Sequence, residues 1–171
     1  MFKGIALVLS AVAVALLAPV SAGATVQPEL NDQDRTFLRK AHQSNLAEIQ
    51  AGQAAQDRGA SETVRDLGAK LVSDHTKLDR DVQRVAEQAE LELPKRPSAE
   101  QRRELEQVTA RSGKAFDRAW LAAQIAGHRQ SLANGAEELW DGSSSEVKKL
   151  ASDAKPIIQM HLDRLLQASG G

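Results

Sequence analysis

Four segments of the chain carry apolar and small residues at the three-and-four spacing of an α-helix, and Gly, Pro or Ser breaks separate them. The first runs from Asp32 to Arg58. Placed at 100° per residue, Phe37, Leu38, Ala41, Asn45, Glu48, Gly52 and Ala55 share one side, while Arg35, Arg39, Gln43, Gln50 and Asp57 take the other. Gly59 ends this helix and Ser61 caps the next, which is expected to reach Leu91 with Val64, Leu67, Leu71, His75, Leu78, Val82 and Val85 on one stripe. Pro94 and Pro97 then interrupt the chain, and Ser98 to Ala110 reads as a short polar helix without a continuous apolar face. A third long helix, Gly113 to Trp140, lines up Asp117, Leu121, Ile125, His128, Leu132 and Leu139. After the Asp141 to Ser145 turn a fourth, Ser144 to Ala168, aligns Val147, Leu150, Ala154, Ile158, His161 and Leu165. Pro156 falls inside that last pattern and predicts a kink or a restart. No segment alternates as a strand would. The expected fold is therefore all-α, an antiparallel four-helix bundle with a short extra helix between helices two and three.

The stripes are not purely apolar. Glu48, His75, His128 and His161 stand at the centres of four different ones, where a charge or an imidazole is costly unless it is paired or bound to metal. With both interhelical turns, near Ala60 and Ser143, placed at one end of the bundle, a rise of ~1.5 Å per residue sets Glu48 about 18 Å from that end. On the same count His75 and His128 lie about 22 Å and His161 about 27 Å down, so the four share a slab. Two readings account for this. Three imidazoles and a carboxylate suit one divalent ion, zinc, copper or ferrous iron, with Asp74 or Asp79 orienting an imidazole from behind. Alternatively the four residues satisfy one another by hydrogen bonds and fix the register of the core. Asp117 is about 16 Å from His128 along its helix, too far for one metal shell, and is expected to stabilise the start of the third helix. His42 reads as a boundary residue outside the site, and Trp120 and Trp140 as packing anchors. The serines around Ser143 form a turn with no histidine near to activate them.

Composition narrows the setting. Lys3 followed by the apolar run Ile5 to Ala18 and the small residues Ala22-Gly23-Ala24 reads as a signal peptide over residues 1–24, with cleavage after Ala24 favoured and Ala22 as a second possibility. The run is short for a membrane span, so an uncleaved anchor is the lesser alternative and no stable span is expected after processing. Residues 25–171 suit one domain. The chain has no cysteine, hence neither a disulfide framework nor a lipid-bearing thiol, and a formal charge of −1 offers nothing to nucleic acid. The expected location is extracytoplasmic: periplasm, cell envelope or outside the cell.

Phe37-Leu38, Asn45 to Ile49, Ser73-Asp74-His75, Gly113 with Phe116-Asp117, His128, and Pro156 with His161-Leu162 together resemble, in order and spacing, the bacterial envelope proteins grouped as domain of unknown function 4142. The resemblance covers nearly all of the mature chain and implies an exported, ferritin-like helical bundle with no established activity. It supplies no catalytic site. The Glu-x-x-His pairs of di-iron bundles do not occur here, Glu48 being followed at three residues by Ala51. The functional expectation has two branches. One is a non-enzymatic envelope protein binding a divalent metal in its core; the other is a structural or protein-interaction module, linked to envelope stress, with a buried polar network and no metal.

Overall fold

A computed structural model describes residues 29–170, and the expected signal peptide lies outside the described residues. Five helices follow in order: α1 Asp32–Arg58, α2 Glu62–Gln88, α3 Ala99–Thr109, α4 Gly113–Asp141 and α5 Ser145–Ser169. Among the described residues there is no strand. The starts are written in side chains. Asn31 and Ser98 close capping boxes with Asp34 and Gln101, and Ser61 and Ser144 accept from the backbone N–H groups of Val64 and Val147.

One helix end and one helix interior depart from expectation. α2 stops at Gln88 rather than Leu91, because Glu90 turns left-handed at φ 49° and the Leu91 N–H reaches back to the Ala86 carbonyl at 2.8 Å. A non-glycine at such a φ leaves no glycine signal in the sequence. α5 runs through Pro156 without a restart. Pro156 and Ser152, whose carbonyl loses its helical donor, are both exposed, so that carbonyl is not left buried without a partner.

The helices pack as a ring in which α1 meets α2 and α4, and α5 meets α4 and α2, while α3 lies across α1 and α4. Polar ties at the two ends fix the directions. At one end the Asn31 amide donates to the Asp141 carbonyl at 2.9 Å, and Asp34 accepts from the Ser143 hydroxyl at 2.6 Å and the Ser144 N–H at 3.1 Å. At the other, both carboxylate oxygens of Asp117 accept at 2.9 Å, from the N–H groups of Ala60 and Ser61. The turns near Ala60 and Ser143 are thus at opposite ends, not at the same end as the sequence reading had them. Neighbouring helices remain antiparallel, and the segment after α2, with α3 inside it, carries the chain back along the length of the bundle. Asp117 caps the start of α2 rather than of its own helix.

Above the bundle's middle, toward Ala60, Leu67, Leu71, Phe116, Trp120, Leu121 and Leu165 form a dense core. α1 and α2 come backbone to backbone there: a Cβ on Gly52 would lie 2.6 Å from the Gly68 carbonyl, and one on Gly68 2.6 Å from the Gly52 carbonyl. Toward Ser143, Phe37, Leu38, Val82, Val85, Val147 and Ala151 make a second cluster, to which α4 contributes no buried residue. Trp120 is buried, donating from its indole to the Ala51 carbonyl at 2.9 Å, but Trp140 is 85% exposed and anchors nothing.

Candidate metal centre

Between the two apolar clusters lies a polar layer. His75 from α2, His128 from α4 and His161 from α5 are only 3%, 1% and 1% exposed. Their ring centroids form a near-equilateral triangle with sides of 5.5, 5.3 and 5.4 Å. Each ring offers one nitrogen such that all three lie within 4.8 Å of one another. The slab expected from the sequence survives the reversal of one helix pair because each residue sits near the middle of its helix, where height is similar counted from either end.

The outward nitrogens are all spoken for. His128 donates from Nδ1 to the Gln124 carbonyl at 2.9 Å, an acceptor with no proton to give. His161 donates from Nε2 to Asp74 at 2.9 Å. That carboxylate is ionised: burial raises its pKa, but hydrogen bonds from Lys70, at 2.7 Å, and from His161 outweigh burial and hold it below the usual range. His75 presents Nδ1 to the Asn45 side-chain oxygen at 2.9 Å. Each imidazole is thereby fixed as one tautomer with its lone pair on the other nitrogen. The lone pairs of His128 Nε2 and His161 Nδ1 face each other at 3.4 Å, and His75 Nε2 has no protein partner. A hydrogen bond between the first two would need an added proton. Burial opposes it, holding His75 and His161 below the ordinary imidazole range and His128 down to about 4.

Such a set of neutral, inward-facing imidazoles with outer acceptors behind them has the donor chemistry of a transition-metal site. Two nitrogens at 2.0–2.1 Å from a tetrahedral ion stand roughly 3.3–3.4 Å apart, the separation of His128 and His161.

Glu48, the fourth residue expected in the cluster, is buried at 7% exposure but outside the triangle. Its Oε1 lies 3.6 Å from the outward Nδ1 of His128, beyond a hydrogen bond. Burial, with the Glu104 carboxylate nearby, pushes its pKa up to about 8, so it is a neutral acid at pH 7. Of the two acids expected behind the imidazoles, Asp74 stands behind His161, whereas Asp79 contacts none of the three. It binds His42 instead, at 2.7 Å, and that histidine is buried rather than at the border. Asp79 is one turn from His75, but on the side that faces α1. Asn45 was visible on its stripe without a role, and the Gln124 carbonyl, being backbone, carries no residue-type signal at all.

The model of the family described as Domain of unknown function (DUF4142) matches residues 19–167. A search of curated proteins finds no match. Among solved structures, one described as a crystal structure of a DUF305 fragment from Deinococcus radiodurans is similar at a TM-score of 0.74 and 16% identity, covering 84% of this chain and 99% of that one. At that identity the likeness speaks for the helical fold alone.

Proposed function

Since the chain belongs to the family described as Domain of unknown function (DUF4142), whose name carries no activity, we propose from the site itself that it is a metal-binding protein holding one divalent transition-metal ion between His75, His128 and His161. The observation that carries this reading is the pair of ring nitrogens His128 Nε2 and His161 Nδ1 facing each other at 3.4 Å while the other nitrogen of each ring meets an acceptor. A purely structural network would put a donor between them; here both outer bonds consume the protons, and a cation is what two converging lone pairs attract. Glu48 belongs to the surroundings of His128. The first ring of donors thus holds no carboxylate, which sets it apart from di-iron bundles. Zinc and copper, both suited by imidazole, are the ions of choice.

The single long crossover between α2 and α4 supports a ferritin-like topology, and the Lys3 to Ala24 segment supports export to a compartment outside the cytoplasm. In that setting the protein binds or buffers metal; catalysis has no support from a nucleophile or base beside the triangle. Titration calorimetry on tag-free protein tests the reading. One zinc per chain is expected for the wild type, with binding lost in His75→Gln and His128→Gln and retained in His42→Gln. Absence of zinc and copper binding, with the helical signal intact, returns the histidines to a structural role.

A further inference from the structure

α3 is short and polar, with Val108 as its one buried residue, yet its inward stripe carries a carboxylate. Gln101, Glu104, Leu105 and Val108, at the spacing of one helix face, turn toward α1 and α4 and close a cleft of about 60 Å³ between the three helices. Leu105 and Val108 pack on the apolar core, and Gln101 is engaged in its capping box, accepting from the Ser98 N–H at 2.8 Å. Glu104 has no such task. It lines the cleft from the exposed rim, close enough to Glu48 for the two carboxyls to repel.

Two further oxygens belong to the buried side of the cleft. Glu48 of α1 and Gln124 of α4 both line it and are only 7% and 6% exposed. Among the described residues neither Glu48 Oε2 nor Gln124 Oε1 has a hydrogen-bond partner, although a buried oxygen left so forfeits its solvation without return. Their neighbours are small. Gly127 is one of them, and a Cβ there would stand 3.2 Å from Glu48 Oε1. Among the described residues no lysine, arginine or histidine lines the cleft, so no side-chain cation answers the two carboxyls.

We propose that Glu48, Glu104 and Gln124 form a site for one hard divalent cation, calcium by preference, separate from the histidine triangle. Carboxylate and amide oxygens are the donors such ions take, whereas the imidazoles suit zinc and copper. Calcium accepts oxygens in an irregular shell, which suits side chains brought from three helices; magnesium demands a near-octahedral one. At ~30 Å³ for each water, the cleft has room for the ion and about one water to complete its shell. A cation there turns the repulsion between Glu48 and Glu104 into a tie that holds α3 against α1 and α4. Binding releases to solvent the proton that Glu48 carries at pH 7. The site shares no ligand with the triangle and does not rest on the reading of that triangle as a metal centre.

Calcium titrated calorimetrically into chelator-treated full-length protein tests the site. One calcium per chain is expected, with Tm rising as calcium is added. Glu104→Gln, at the exposed rim and outside the core, should weaken calcium by about tenfold or more, because a charged ligand is lost. Glu48→Gln should do the same. Glu100→Gln, one turn earlier on α3 and exposed, should retain binding. His161→Gln, which disables the triangle, should also retain it, and Glu104→Gln should titrate with zinc as the wild type does, so the two sites are read apart. Absence of stoichiometric calcium binding in the folded wild type overturns the proposal, as does undiminished binding in Glu104→Gln. Equal weakening by Glu100→Gln and Glu104→Gln would show only diffuse attraction to the acids of α3, and overturns it too.

Discussion

At the scale of single residues, the centre depends on the three imidazoles and, in second place, on what holds their outer nitrogens. Asp74 fixes His161 from the neighbouring helix at 2.9 Å while Lys70 keeps the carboxylate ionised from one turn away. Outer partners of this kind are worth 10–100-fold in metal affinity. Asp74→Asn is therefore expected to weaken zinc by about that factor in a competition titration with a chromophoric chelator. Affinity unchanged in this variant would show that His161 needs no such partner. Asp79→Asn, acting on the His42 pair, should leave zinc affinity alone. The three histidines were legible because each interrupts an apolar stripe. Their partners were legible only in part: Asp74 and Asp79 are both acids within a turn of His75, and only the packing of α1 and α5 decides which histidine each meets.

At the scale of elements, helix bounds followed from caps and breaks, and the exceptions are the places where no residue type announces the geometry, such as the left-handed Glu90. The direction of the α4 and α5 pair was not legible, because the stripes are symmetric under reversal and the deciding contacts, Asp34 with Ser143 and Asp117 with Ala60, are single polar ties between distant segments. The same end holds a titrating device. Glu138 is buried beneath the α4–α5 turn, with Asp34 and Gln33 of α1 and Lys148 of α5 facing it. Burial, and then the Asp34 carboxylate, push its pKa up to about 8 from 4.5. The folded chain thus holds this proton where the unfolded chain releases it, so the stability it contributes is full below pH 4.5 and is lost as pH rises toward 8. Asp34, whose bonds to Ser143, Asn31 and Ser144 overcome the effect of burial and lower its pKa, has the opposite sign and loses its contribution only in acid. In thermal unfolding of the zinc-free protein, Glu138→Gln should narrow the difference in Tm between pH 5 and pH 8 by about 4 °C or more. An unchanged difference would mean that Glu138 ionises normally.

At the scale of the whole molecule, a dense apolar half, a layer of histidines and a looser apolar half are stacked along one bundle. The layering was legible, since mid-helix residues keep their level whichever way a helix runs. The looseness was not: Leu132 and Leu139 read as core from periodicity, yet Leu139 is 38% exposed and α4 adds no buried hydrophobic residue to the cluster in this half. Patterning shows which face points inward and is silent on whether the opposite walls meet. The central claim, that the imidazoles stand as three neutral tautomers with lone pairs converging on a cation, is tested most directly by nitrogen-15 imidazole NMR at neutral pH, before and after one equivalent of zinc. The expected zinc-free spectrum has His75 and His128 protonated at Nδ1 and His161 at Nε2; zinc should then shift His75 Nε2, His128 Nε2 and His161 Nδ1 together and leave His42 in place. A charged imidazolium within the triangle, or zinc shifts absent from these three nitrogens, would contradict it.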